Sequence, residues 1–358
     1  MKNTKVVKIG NILIGGGNPV AVQSMTNTDT ADRASTLRQI KRLERAGCEI
    51  VRFTVNTYDA AKNIAYYKEH TSVPLVADIH FDYKLALKSA AAGIDKIRIN
   101  PGNIGGADRV KKVCDTCRLH NVPIRVGVNG GSLEKSVLAK YGGPTPEAIA
   151  ESALGAVASL ERFDFDDIVV SVKSSDVKTM VKANRLISEH CAYPLHLGVT
   201  EAGTEYAGLV KSAVGIGTLL SEEIGDTIRV SLTAPPEREV TAGIAILKAA
   251  GLRKGGVEFI SCPSCGRCRI DLIGVASEAE RRLRNVRRDI TVAVMGCAVN
   301  GPGEASRADF GIAGGDGEGV LFRKGQIVKK VPNDRLVDEL MMLIDSTLEE
   351  EMRKEERG

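Results

Sequence analysis

Four cysteines gather near the end of the chain. CPSCGRC places Cys262 and Cys265 at CxxC spacing, in a tight turn behind the strand-like EFIS. MGCAVNGPGEA places Cys297 at a second strand end, with Glu304 seven residues further on. A single CxxC is a weak signal, but two strand-end motifs so close together make a much stronger one. Thiolates in that arrangement suit zinc or an iron–sulfur cluster. Cys268 could complete a four-cysteine zinc site, so zinc stays open as the rival. The Cys-x3-Cys-x2-Cys spacing of radical chemistry on S-adenosylmethionine is absent. The other four cysteines are scattered, and eight in a chain of 358 residues do not form the disulfide framework of a small secreted domain. Cys114 and Cys117 fall on one face of a predicted helix, Ala107–His120, and are expected to pack against its support.

A second set of residues carries charge where apolar side chains are the rule. Side chains on a strand alternate between faces. In EIVRFTV the apolar Val51, Phe53 and Val55 claim one face, which leaves Arg52, Thr54 and Asn56 on the other. The same parity groups Asp78 with His80, Arg98 with Asn100, Arg125 with Asn129 and Ser171 with Lys173. It also groups His196 with Thr200, and Arg229 with Ser231. Five cations on five inner strand faces would cost several kcal/mol each if left unpaired. Asp78 and Glu201 are too few to neutralise them. A bound polyanion resolves the imbalance, since Arg forks match phosphate oxygens. Glu201 directly follows a strand, where a carboxylate can act as general acid or base; a helix N-cap is its simpler role.

The elements that must position these residues repeat one unit. Eight apolar strands are predicted, at 19–25, 49–55, 74–80, 96–101, 124–129, 167–173, 194–200 and 227–232. Helical stretches such as Ala34–Ala46 and Tyr83–Ala92 separate them, closed by glycine stops at Gly47 and Gly93. Eight such units in about 250 residues predict a (β/α)8 TIM barrel over 1–254. An open doubly wound sheet is the alternative, but no GxGxxG phosphate loop is present to favour it. NILIGGGNPV reads as a hairpin plugging the barrel floor. Gly130–Asp166 reads as a lid or a decorated loop. Residues 255–358 read as a smaller α/β domain carrying the cysteines: strand, motif, helix Asp271–Arg288, strand, motif, glycine-rich hairpin and final helix. GGDGEG is expected to be a hairpin turn rather than a phosphate loop.

Taken together, VQSMTNTDT, ADIHFD, KIRINPGNIG, VGVNGGSLE, LGVTEAG, CPSCGR and GCAVNGPGEA resemble the 4-hydroxy-3-methylbut-2-enyl diphosphate synthases of the non-mevalonate isoprenoid pathway, nearly end to end. The resemblance implies a [4Fe–4S] cluster held by Cys262, Cys265, Cys297 and Glu304, with Cys268 outside the ligand set. It implies a cyclic diphosphate substrate, 2-C-methyl-D-erythritol 2,4-cyclodiphosphate, held by the cationic strand residues. It also implies proton handling by Glu201, a catalytic role for Glu304, and reduced flavodoxin or ferredoxin as electron donor. An iron–sulfur sensor is the non-enzymatic alternative.

The remaining expectations come from composition and topology. The formal net charge of +4 and aromatic content of 4% give no nucleic-acid signature. No apolar run is long enough to span a membrane and no signal-peptide pattern opens the chain, so a cytoplasmic setting is expected. The last barrel helix ends on the face opposite the catalytic mouth. A head-to-tail homodimer, each cluster domain capping the partner's barrel, is therefore expected.

Overall fold

The computed structural model describes residues 2–284, 286–297 and 307–355. Its contacts divide the chain into two compact units, Met1–Arg253 and Lys254–Gly358.

The first unit opens with a hairpin of β1 (Val7–Ile9) and β2 (Ile12–Ile14). Eight short strands rich in Val and Ile follow: β3 (Ala21–Met25), β4 (Ile50–Thr54), β5 (Leu75–Asp78), β6 (Lys96–Ile99), β7 (Ile124–Asn129), β8 (Ile168–Lys173), β9 (His196–Leu197) and β10 (Thr227–Ile228). All pair in parallel, in the order β8-β7-β6-β5-β4-β3-β10-β9. The two ends of that sheet meet where Val170 bridges Leu195, with Val170 N donating to Pro194 O at 2.9 Å. The sheet is thus the expected (β/α)8 barrel.

Local sequence explains where its helices begin and end. Asp32, Thr57, Asp82, Thr145 and Asp176 each cap a helix by accepting a backbone N–H with the side chain. Gly47 and Gly93 then stop Arg33–Arg45 and Tyr83–Ala91 in the left-handed region that Cβ-bearing residues avoid. The outward strand residues Val51, Phe53 and Val55 pack with Ile40, Leu43, Ile64 and Tyr67 of the surrounding helices. Cys114 and Cys117 are buried in the same core, as their helix spacing suggests.

The hairpin closes the floor, but one turn earlier than its sequence suggests. It spans Val7–Ile14 and turns at Gly10, where an added Cβ would meet Asp95 Oδ1 at 2.9 Å. Val7, Ile9 and Ile14 pack on the inward Ala21, Ile50, Val76 and Val169. The run Gly15–Gly17 is the left-handed exit from the hairpin rather than part of it. Within 130–166 lie a short helix, Lys135–Tyr141, and the regular return helix Pro146–Glu161, whose Ile149, Ala153, Val157 and Leu160 are buried.

The second unit is a five-stranded sheet in the order β11 (Val257–Ser261), β12 (Ile290–Met295), β13 (Phe310–Ala313), β14 (Glu318–Arg323) and β15 (Gln326–Pro332). The first three are parallel and the last two antiparallel. Two helices, Leu272–Leu283 and Leu336–Glu355, cover it through Leu272, Ala279, Leu283, Leu336, Leu340 and Ile344. The first is shorter than the predicted Asp271–Arg288. Asp271 is its N-cap, accepting from Gly274 N at 3.1 Å, and after Leu283 the sequence turns to arginines with little to bury. GGDGEG joins the antiparallel β13 and β14 as a turn. No helix among the described residues is long and apolar enough to cross a membrane.

Candidate active site

At the carboxyl ends of the barrel strands lies a cavity of about 190 Å3. Its lining includes Arg52, Arg98, Arg125, Lys173 and Arg229, one from each of five strands or their ends, and Asp78, His80, Asn129, Ser171 and Ser231. Met25 and Thr200 complete it. Glycine makes room for these long side chains. At inward position 127 on β7 a Cβ would collide with the Arg98 guanidinium, whose Nη2 donates to Gly127 O at 3.1 Å. At inward position 198 a Cβ would sit 2.9 Å from Lys173 Nζ and 2.6 Å from Arg229 O.

Two carboxylates offset part of this charge. Asp78 takes Arg98 Nη1 at 3.1 Å, His80 Nε2 at 3.5 Å and Arg52 Nε at 3.8 Å. Burial by itself would raise its carboxyl, but the Arg52 charge, the His80 hydrogen bond and the Arg98 charge outweigh that and hold it well below the ordinary range. The second carboxylate is Glu239, not Glu201. Its side chain reaches in from the first turn of the helix Pro236–Ala249 and accepts from Arg229 Nε and Nη2 at 3.3 Å each, and from Ser24 Oγ at 3.0 Å. Strand parity could not reveal a helix residue; the signal was PPEREV, a proline-started helix carrying two acids in its first turn.

Among the described residues no acid pairs with Arg125 or Lys173, and Arg52 shares Asp78 with Arg98 and His80. Arg52 spends Nε and Nη2 on the thioether of Met25, a weak acceptor, at 3.2 and 2.9 Å. Arg125 is 1% exposed, donates Nη1 to Ser171 Oγ at 3.3 Å, and leaves Nε and Nη2 without partners. Burial, and then the charges of Arg52, Arg229, Arg125 and Arg98, push the Lys173 ammonium well below its ordinary value. The free cavity is starved of negative charge.

Three expected residues do not line it. Asn100 caps a short helix, accepting from Gly102 N at 3.2 Å. His196 is fully buried below, its Nδ1 2.8 Å from Thr227 Oγ1. Glu201 is exposed beside the lining residue Thr200 and holds φ at 50°, a left-handed conformation uncommon for a residue with a side chain. Lys96, two residues before Arg98 on the same strand, is also inward and buried, a position that parity alone would have flagged.

The cysteines meet in the second unit because β11 and β12 run parallel, Ser261 opposite Val294. Their carboxyl ends therefore lie side by side, and Gly296 N donates to Cys262 Sγ at 3.2 Å. A turn closed by Cys268 N donating to Cys265 O at 2.9 Å folds the motif back. Cys262, Cys265, Cys268 and Cys297 line one cavity of about 90 Å3, with Pro263, Arg267 and Gly296. The backbone N–H and the side chain of Arg267 draw the Cys265 thiol below its ordinary value. Among the described residues no three His, Cys, Asp or Glu side chains converge on a point that could hold a single ion. Soft thiols around one cavity, with an N–H aimed at one sulfur, fit an iron–sulfur cluster. Glu304 lies outside the described residues.

Comparison with known proteins settles the family. The model of the GcpE TIM-barrel domain matches residues 4–244, and that of the GcpE protein C-terminal domain matches 258–346. The chain belongs to the GcpE family. A relative from Clostridium perfringens, 4-hydroxy-3-methylbut-2-en-1-yl diphosphate synthase (flavodoxin), is 58% identical over 96% of this chain and 99% of its own. One of the same name from Caldicellulosiruptor saccharolyticus is 59% identical over the same shares. Among solved structures, a dihydropteroate synthase from Stenotrophomonas maltophilia overlays 69% of this chain and 97% of its own at TM-score 0.50 and 12% identity. That likeness is one of fold alone.

Proposed function

We infer that this member of the family converts 2-C-methyl-D-erythritol 2,4-cyclodiphosphate to 4-hydroxy-3-methylbut-2-enyl diphosphate, a step in making isoprenoid precursors. Two electrons and two protons open the ring and release one oxygen as water. The observation that carries this reading is the buried cavity with five cations on its lining and two carboxylates to offset them. Only a ligand with several negative charges balances it, and the diphosphate does so through both phosphoryl groups.

Each residue has a task in that scheme. Arg52, Arg98, Arg125, Lys173 and Arg229 would hold the diphosphate oxygens, with Asn129, Ser171 and Ser231 as neutral donors. Asp78 aligns Arg52, Arg98 and His80 for that contact. Glu201, at the mouth, would move the protons that the departing oxygen needs. A [4Fe–4S] cluster, when bound by Cys262, Cys265, Cys297 and Glu304, would supply electrons one at a time and a Lewis-acidic iron. Reduced flavodoxin, or a ferredoxin, would be the donor.

The barrel's topology supports an active site shared between two copies. Arg253, at the exit from the last barrel helix, donates Nη2 to Val20 O just before β3 and to Glu49 just before β4. These are the amino ends of the strands, opposite the cationic cavity. We therefore propose a head-to-tail homodimer in which the partner's cysteine domain faces the cavity. The cluster assignment is tested by iron and sulfide analysis after anaerobic reconstitution. The wild type should hold about four of each per chain, and Cys297→Ser should lose both together. Full iron in Cys297→Ser would overturn the ligand set.

A further inference from the structure

Beneath the cationic cavity, between it and the apolar plug, the barrel contains buried polar side-chain atoms with no partners. Lys96 Nζ, His196 Nε2, both amide atoms of Gln23, and Nε and Nη2 of Arg125 are buried without a hydrogen bond. Lys96 and His196 are 0% exposed and Gln23 and Arg125 1%, so bulk water does not serve them. They project from four different strands, β3, β6, β7 and β9, and the hairpin below offers them only Val7, Ile9 and Ile14.

Lys96 is the extreme case. The ionisable groups that act on it across the barrel are Arg125 from β7 and Arg52 from β4, and His196 from β9 shares their field. None is an acid. Its chain neighbour Asp95 points away, held by Lys68 Nζ at 2.5 Å and Leu75 N at 2.8 Å. Asp78 is engaged by Arg98, Arg52 and His80, and Glu239 by Arg229. An ammonium here would be desolvated, unpaired and beside like charge, so the neutral amine is favoured. An anion entering the cavity above would offset the repulsion from Arg125 and Arg52 without touching Lys96.

We propose that Lys96 is a positioning residue that takes up a proton when a diphosphate enters the cavity, so that anion and proton bind together. This rests on the anion-binding reading of the cavity. Its consequence is a pocket that avoids the self-repulsion of a sixth cation while empty and gains that cation's attraction once filled. The sign follows from linkage: with its free value depressed, Lys96 binds a proton on ligation at pH between its free and liganded values. Burial first, and then Arg125 and Arg52, depress the free value.

Calorimetric titration of the cluster-loaded protein with inorganic pyrophosphate at pH 8, in buffers of different ionisation enthalpy, counts the protons exchanged. Pyrophosphate can itself release a proton at this pH in both proteins, so the difference between them is read: Lys96→Met should take up fewer protons than the wild type, by as much as about one per site. Methionine keeps the length and volume of a side chain whose amine has no partner, so its thermal midpoint should equal or exceed that of the wild type. A proton count identical in both proteins overturns the role of Lys96. If the wild type gives no pyrophosphate heat at all, the anion reading beneath the proposal falls, and the proposal falls with it.

Discussion

At the scale of single residues the barrel interior is an electrostatic device, and its acids and bases respond to removal in opposite ways. Lys173→Ala or Arg125→Ala should weaken binding of the cyclic diphosphate by about 1.5–3 kcal/mol, the range for hydrogen bonds to charged groups. The fold should not suffer, because one crowded cation fewer relieves repulsion. An unchanged Michaelis constant in both variants would show that these groups do not meet substrate. Asp78→Asn should do the reverse and destabilise by about 3–5 kcal/mol, since Arg52 and Arg98 then lose the acid that offsets them. The pH dependence follows from the depressed carboxyl of Asp78. Its stabilisation is present above the unfolded value of about 3.9 and is lost as pH falls below that toward the folded value. Denaturant midpoints of the wild type and Asp78→Asn should therefore differ most at pH 7 and draw closer as pH falls below about 3.9. A gap that does not narrow at all between pH 7 and pH 2 would assign the loss to packing instead.

At the scale of elements, strand parity and glycine placement decide which side chains can share the cavity. Gly127→Ala forces the Arg98 guanidinium aside, so it should raise the Michaelis constant several-fold while the thermal midpoint moves little. A midpoint drop without a kinetic change would show that Gly127 serves the backbone alone. Much of this is legible in the sequence. Eight alternating apolar strands and glycine-stopped helices announced the barrel, and the period of two placed Arg52, Arg98 and Arg125 on one face. Glu239 was not legible, because it enters from a helix and belongs to no strand pattern. The hairpin slipped because Gly10 and the run Gly15–Gly17 are all turn signals, and only packing on Ile50, Val76 and Val169 selects between them. Asn100 shows the limit of parity: a strand-end Asn before proline is as apt to cap the next helix as to meet a ligand.

At the scale of the whole molecule the account needs two chemistries to meet, anion binding in the barrel and electron delivery from the cysteines. The proposed head-to-tail dimer makes a specific demand. At substrate levels too low for Lys173→Ala to turn over, subunit exchange between a Lys173→Ala chain and an inactive Cys297→Ser chain would pair one intact barrel with one intact cysteine set. Random exchange should restore up to about a quarter of wild-type activity, since half the dimers are mixed and each has one complete site of two. No recovery despite demonstrated exchange would place the whole site within one chain. The most direct test of the central claim is turnover itself. The anaerobically reconstituted protein is mixed with the cyclic diphosphate and reduced flavodoxin and followed by phosphorus NMR. The account predicts that the cyclic diphosphate signals give way to those of the open-chain 4-hydroxy-3-methylbut-2-enyl diphosphate, only with the reduced donor. A fully loaded wild-type protein that leaves the cyclic diphosphate unchanged would contradict it.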